Sequence, residues 1–208
     1  MMKLPLMLKL SGKTATVVGA GVVASRHIPK LLQAGIKEVT VYAPDLHPSL
    51  EPYIESSQIK WVQEKVTEGT SFQTDLLLLT TDNSTLHASL YASRKPHQLV
   101  YLADNSQVSD FSFPMTVTKG HLTIALSTNG VSPTYGKRIK KQLDQLLSDD
   151  CEGDLLFLED VRKCVLESGL EAKSRKWILQ ETASETFLRD PLREERFVAL
   201  IREAQKLT

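Results

Sequence analysis

The sequence predicts an α/β fold: a doubly wound, mostly parallel sheet over residues 1–112, then a small α+β region over 113–149 and a helical domain over 150–208. Three observations carry this. A β-branched run, Thr14–Val18, leads into a glycine-rich turn, an amphipathic helix and a second β-branched strand. The runs Leu76–Thr80 and Leu99–Leu102 are apolar without alternation, as strands covered on both faces are. After residue 112 the rhythm changes, first to alternating polarity and then to helical periodicity.

The elements follow in order. Val22–Gln33 has helical spacing, with Ile28, Leu31 and Leu32 on one side and Gly35 as a stop. Pro29 falls inside it and is expected to bend it or to be tolerated close to its start. Val39–Tyr42, closed by Pro44, completes a βαβ unit of roughly thirty residues. A helix or turn is expected over 48–56, a short strand over 59–62 and a helix over 85–94. Residues 112–118 and 121–126 flank Lys119-Gly120 and alternate in polarity, which predicts a β-hairpin. Helices are predicted over 132–147, 154–168, 171–188 and 191–206, with Ser148–Asp150 and Glu152–Asp154 as linkers.

Composition narrows the function classes. The 208 residues carry 25 basic and 25 acidic side chains, a formal net charge of +0, so bulk charge draws in neither nucleic acid nor an anionic membrane. Any anionic ligand needs a local basic cluster. Lys3, Pro5 and Lys9 interrupt the apolar N-terminal stretch, which lacks the core of a signal peptide. No apolar run is long enough to span a bilayer. Cys151 and Cys164 have neither zinc spacing nor a nearby histidine and read as small buried residues on helices, suited to a reducing, cytoplasmic setting.

Gly19-x-Gly21-x-x-Ala24 has the context that gives such a motif meaning, because it follows a strand and opens a helix. Gly19 permits the tight turn, Gly21 a close backbone approach to a pyrophosphate, and Ala24 close helix–strand packing. The helix N–H groups at Val22 and Val23 then face phosphates, aided by the helix dipole. This predicts a Rossmann-type dinucleotide site. The acidic residue expected at the end of the second strand is represented only by Asp45, slightly late and after Pro44. No arginine occupies that region, which favours NAD over NADP.

Ligands of open α/β sheets lie beyond the carboxyl ends of the strands, where Asp82 and Asp104 fall. Either can act as a general base, hold a ligand cation or cap the next turn. His27 reads as exposed, and His47, His87 and His97 as surface or loop residues; no histidine pair has metal-ligand spacing, so no metal site is expected. Ser127-Thr128-Asn129-Gly130-Val131-Ser132-Pro133 is a hydroxyl-rich loop entering a helix, with Ser132 as N-cap and Pro133 at the first helical position. Lys137, Arg138, Lys140 and Lys141 follow. The segment reads equally as a carboxylate receptor or as a well-capped helix with a solvated basic face.

Together these segments resemble the precorrin-2 dehydrogenases, including the N-terminal part of siroheme synthase. The matching residues are Leu4-Pro5, Val17–Ala24 with Arg26, Leu31–Gly35, Val39–Pro44, Thr81-Asp82, Asp104, Phe113-Pro114 and Ser127–Pro133, in family order over about 4–147. The resemblance implies NAD-dependent oxidation of precorrin-2, a carboxylate-rich reduced tetrapyrrole, to sirohydrochlorin. It implies Asp104 as the catalytic carboxylate and Gly19, Gly21, Val22, Val23, Pro44, Asp45, Thr81 and Asp82 as the cofactor site. Ser127, Thr128, Asn129, Gly130, Ser132, Lys137 and Arg138 become the substrate side. It also implies a homodimer built through the 113–149 region. His27 stands where the family usually has lysine, and Thr128-Asn129 where Ser-Gly is typical. The expectation is a dehydrogenase served by a separate chelatase; a bifunctional enzyme that also inserts iron, an unrelated small-substrate NAD dehydrogenase and an NAD-sensing module are the other readings.

Overall fold

The computed structural model describes residues 3–147 and 150–206, which divide into two compact units, Met1–Phe113 and Pro114–Thr208. The first unit holds β1 (Thr14–Val18), α1 (Val22–Gln33), β2 (Glu38–Tyr42), a 3-10 turn (Pro48–Leu50), α2 (Glu51–Glu55), β3 (Lys60–Val62), β4 (Leu76–Leu79), α3 (Ser84–Ala92) and β5 (Leu99–Leu102). The strands form one parallel sheet in the order β3-β2-β1-β4-β5. Chain direction across the sheet reverses between β1 and β4. That junction is where open sheets of this kind leave a crevice for ligands.

Alternation along the strands builds the two layers. Val17, Val39, Val41, Leu76 and Leu78 pack with Ala24, Ile28 and Leu31 of α1. Val18, Leu77, Leu79, Val100 and Leu102 pack with Leu86 and Leu90 of α3. The four leucines of β4 are all buried because β4 is interior to the sheet and covered on both faces. Each contributes about 1.5–3 kcal/mol relative to exposure. Helix α1 continues through Pro29. At the amino ends of the strands, Asp75 accepts the Lys13 ammonium at 2.8 Å and the Thr14 N–H at 2.9 Å, joining β1 to β4.

The second unit begins with the antiparallel pair β6 (Met115–Lys119) and β7 (Leu122–Leu126). Strand β6 starts three residues later than the alternation suggests, because Pro114 has no N–H to give a ladder. Helices α4 (Pro133–Leu146), α5 (Cys151–Glu167), α6 (Ala172–Thr182), α7 (Glu185–Leu188) and α8 (Arg193–Lys206) follow. Val161, Val165, Leu170, Ile178 and Ala204 form their core.

Three expectations need correction here. Glu152–Asp154 is not a linker but the first turn of α5, where Glu152 and Asp154 complement the positive end of the helix dipole. The helix expected over 171–188 breaks at Ala183-Ser184, since the Ser184 hydroxyl accepts the Phe187 N–H and starts a new helix. The cysteines are not core residues: Cys151 is half-buried and Cys164 exposed, both unpaired. The linker expected at Ser148–Asp150 lies partly outside the described residues, at Ser148 and Asp149.

Candidate active site

The carboxyl edge of the sheet is assembled around Gly19. Its N–H donates to the Tyr42 carbonyl at 2.9 Å, and the His47 N–H donates to the Ala20 carbonyl at 2.9 Å. These bonds tie the turn to the end of β2. The Thr80 hydroxyl is placed 3.0 Å from the carbonyl oxygens of both Val18 and Gly19, tying the turn to β4. Gly19 has φ +99°, and a Cβ there would stand 2.9 Å from the Thr80 carbonyl carbon and 2.9 Å from Thr81 Cγ2. Only glycine fits.

Gly21 differs. It is the N-cap of α1 with φ −85°, and a Cβ placed on it would meet nothing within 4 Å. No side chain caps the helix, and no acidic residue lies in its first turn. The unclaimed N–H groups and the open space over Gly21 therefore form a cradle suited to a pyrophosphate, with Val22 exposed beside it. Beyond β2, Trp61 Nε1–H donates to the Ala43 carbonyl at 2.9 Å and Gln63 Nε2–H to the Pro44 carbonyl at 3.1 Å. This fixes the loop carrying Asp45. A cleft of about 360 Å³ opens there, lined by Pro44, Asp45, Leu46, Glu51, Ile54, Glu55, Trp61 and Gln63. Its charged lining is wholly acidic.

Asp104 follows β5, and its carboxylate is engaged from α3. The Asn83 side chain accepts the Leu86 N–H at 3.0 Å and starts α3 there. That start turns His87 inward, where it is 1 % exposed. His87 Nε2 accepts the Thr81 N–H at 3.2 Å and lies 2.9 Å from the Thr81 hydroxyl. The ring proton is therefore assigned to Nδ1, which donates to Asp104 Oδ1 at 2.6 Å. Partial burial alone would raise the Asp104 carboxyl. Hydrogen bonds from Ser84 and His87 outweigh it and hold the group below its ordinary value. At neutral pH Asp104 is an ionised carboxylate with about a third of its side chain open, and so is able to accept a proton.

His87 corrects the expectation of a surface residue. Leu86, His87 and Leu90 share the buried face of α3, and the polar ring is tolerated there because both nitrogens find partners. The helical spacing of 86, 87 and 90 was the available signal. His27 is likewise not exposed. Its ring stacks on Phe113 at 4.0 Å, and Nε2 lies 3.3 Å from the Tyr101 hydroxyl. Burial, with Lys30 and Arg26 nearby, pushes its pKa down to about 4.

The structure gathers Gly19, Gly21, Val22, Val23, Pro44, Asp45, Thr81, Asp82 and Asp104 along one edge of the first unit, with Asp82 exposed. The other expected residues form a separate group on the second unit. There the Ser127 hydroxyl accepts the Asn129 N–H at 3.1 Å, Thr128 Oγ1 the Ser132 N–H at 3.3 Å, and the Ser132 hydroxyl the Tyr135 N–H at 3.2 Å. Asn129 has φ +50° and Gly130 φ +83°, a left-handed pair that asparagine tolerates better than other non-glycine residues. Lys137 and Arg138 are exposed, with the Arg138 guanidinium 4.7 Å from the Tyr135 ring centroid. Among the described residues, no three His, Cys, Asp or Glu side chains gather as metal ligands, and no helix is long and apolar enough to cross a membrane.

Comparison with known proteins agrees with this geometry. Residues 6–115 match the family model described as "Putative NAD(P)-binding". The chain belongs to this NAD(P)-binding family. Residues 119–146 match a second model, "Sirohaem biosynthesis protein central". The chain is 26% identical over 160 residues to a precorrin-2 dehydrogenase of Bacillus subtilis, covering 77% of this chain and 98% of that protein. It is 29% identical over 170 residues to one from Priestia megaterium, covering 82% and 83% respectively. A siroheme synthase of Zymomonas mobilis is 31% identical over 145 residues, which are 69% of this chain but 31% of that protein. The fold matches that of the solved structure of SirC, precorrin-2 dehydrogenase, with TM-score 0.83 at 24% identity, over 97% of this chain and 100% of that one. The resemblance to precorrin-2 dehydrogenases read from the motifs is borne out, as is the Rossmann-type sheet followed by helices.

Proposed function

We propose that this chain oxidises precorrin-2 to sirohydrochlorin, with NAD as the hydride acceptor, in siroheme biosynthesis. The observation that carries the reading is the ionised Asp104, held by His87 at the same sheet edge as the uncapped helix start at Gly21. Gly19, Gly21, Val22 and Val23 would hold the pyrophosphate, with Thr81 and Asp82 beside it, and Pro44 and Asp45 would meet the ribose. The acidic lining of the cleft around Asp45 supports NAD, since a 2′-phosphate would face Asp45, Glu51 and Glu55 without a basic partner. Bound NAD supplies the group that takes the hydride from a ring carbon.

The side chains supply the rest. Loss of hydride leaves the macrocycle electron-poor and its remaining proton acidic. A carboxylate of low basicity therefore suffices as acceptor, and Asp104 passes the proton to water through its open side. Lys137 and Arg138, with the helix start at Ser132 and the loop residues Ser127, Thr128, Asn129 and Gly130, are assigned to the substrate carboxylates. We assign iron insertion to a separate chelatase and the working state to a homodimer joined through the 113–149 region. Val131, Tyr135 and Leu146 leave apolar side chains exposed in that region, which supports a partner there.

The test is to supply purified protein with precorrin-2 and NAD and to follow sirohydrochlorin and NADH absorbance together. Equimolar appearance of both is expected, and no turnover would sink the assignment. Siroheme formed by this chain from iron without a partner would overturn the separate-chelatase assignment, and a monomer by sedimentation would overturn the dimer.

A further inference from the structure

We infer that His87 is a positioning residue of the oxidation, holding the Asp104 carboxylate in fixed relation to the glycine turn; this rests on the dehydrogenase reading above. The connection is continuous. Gly19 packs so closely on Thr81 that an added Cβ would lie 2.9 Å from Thr81 Cγ2. Thr81 offers its N–H and hydroxyl to His87 Nε2, and His87 Nδ1–H reaches Asp104 Oδ1 at 2.6 Å. The glycine turn, which would hold the hydride acceptor, and the proposed proton acceptor are thereby set relative to each other by side-chain contacts as well as by the sheet.

Histidine suits this position. Its ring nitrogens lie on opposite sides, so one ring spans the loop after β4 and the loop after β5. Because the Thr81 N–H can only donate, it fixes the tautomer that presents a donor to Asp104. The Asn83 side chain, capping the Leu86 N–H at 3.0 Å, sets the start of the helix that delivers the ring. His87 touches neither the cradle over Gly21 nor the open side of Asp104, so it acts through Asp104 rather than on substrate. A merely structural histidine would hold the two loops together equally well, and the test must separate the two roles.

Two measurements do so. On the free protein with 15N-labelled histidine, His87 should show a protonated Nδ1 and an unprotonated Nε2, and Asp104→Asn should perturb the Nδ1 signal. In turnover, His87→Phe should lower kcat by at least about tenfold, part of the roughly 10²–10⁴-fold that a positioned proton acceptor contributes. KM for NAD should be unchanged. The acid limb of the rate should move to higher pH, because Asp104 loses a hydrogen bond that favours its ionised form. His87→Asn, whose amide N–H can still reach Asp104, should recover most of the rate.

An unprotonated Nδ1, an unchanged kcat in folded His87→Phe, or a loss that leaves the acid limb in place and is not recovered by asparagine would each overturn the inference. If His87→Phe does not fold, the tautomer and the His87→Asn pH profile decide it. A wild-type protein without turnover would overturn the dehydrogenase reading itself, a result distinct from all of these.

Discussion

The two glycines of the turn should fail in opposite ways when each is changed to alanine. At Gly19, φ +99° is a conformation that alanine enters at about 1–3 kcal/mol. The new methyl also stands 2.9 Å from the Thr80 carbonyl carbon and 2.9 Å from Thr81 Cγ2. One of these neighbours is backbone and cannot swing aside, so overpacking adds about 1–3 kcal/mol. Gly19→Ala should therefore cost the first unit about 2–6 kcal/mol, a large share of the roughly 5–15 kcal/mol that a domain has. At Gly21 the φ of −85° suits alanine and the methyl meets nothing within 4 Å. Stability should stay within about 1 kcal/mol of wild type. The methyl does occupy the open space that a pyrophosphate needs, so NAD affinity should fall at least about tenfold, or 1.4 kcal/mol. The assay is a urea titration read by Trp61 fluorescence in a Trp177→Phe background, paired with calorimetric NAD titration. With a slope of about 1–3 kcal/mol per molar urea, Gly19→Ala should lower the midpoint by about 0.7 M or more. A Gly19→Ala protein as stable as wild type would refute the packing argument. A Gly21→Ala protein with unchanged NAD affinity would refute the cradle.

Other perturbations follow from the same geometry. The Lys13 hydrogen bond, with the Thr14 N–H, lowers the Asp75 pKa from 3.8 to about 2. A carboxylate depressed on folding stabilises above its unfolded value, and that contribution is lost as pH falls from about 4 towards 2. Asp75→Asn should flatten the acid-unfolding curve in that window, and an unchanged curve would count against the Lys13–Asp75–Thr14 tie. His27 runs the other way. Its pKa of about 4 against 6.5 unfolded means that the unfolded chain takes up the proton first, so stability falls as pH drops from 6.5 to 4. His27→Gln should remove that slope from the Trp61-monitored transition, and a persisting slope would assign it to another group. Ser132→Ala removes the acceptor of the Tyr135 N–H and should cost about 1 kcal/mol in the second unit, read by Trp177 fluorescence on urea unfolding.

The proposed cofactor half of the site was legible to the extent that backbone geometry makes its turn. Gly19 is required by its turn, Ala24 is buried against the sheet, and Gly21 leaves open the space proposed for the pyrophosphate, so their spacing carries the meaning. The buried strands were legible for a similar reason, since an uninterrupted Leu76–Leu79 suits a strand covered on both faces. The helical unit was less so. Its breaks depend on a serine competing with a helix carbonyl, as at Ser184, which short-range periodicity does not register. From position alone Asp104 was visible only as a residue at a strand end, and its catalytic role came from the family resemblance. What gives it chemical character comes from seventeen positions earlier in the chain, through a pairing that exists only once α3 folds onto the sheet.

That difference in legibility reflects two ways of placing reactive groups. A pyrophosphate cradle can be made of main chain alone, and it survives sequence change wherever small residues hold the turn. A proton acceptor is a side chain on a loop, and β5 ends two residues before Asp104. The loop needs a second tether, and here the tether is a histidine buried on a helix whose own start is set by Asn83. The departures from the family pattern at 27 and 129 each have a local answer, a stacked ring and a left-handed turn. Substitutions that break the tether while sparing the glycines should leave NAD binding intact and remove proton transfer. Substitutions in the turn should do the reverse. Such a separation of binding from chemistry is what a cradle made of main chain and an acceptor held by a side chain require, even where Thr81 and His87 link the two.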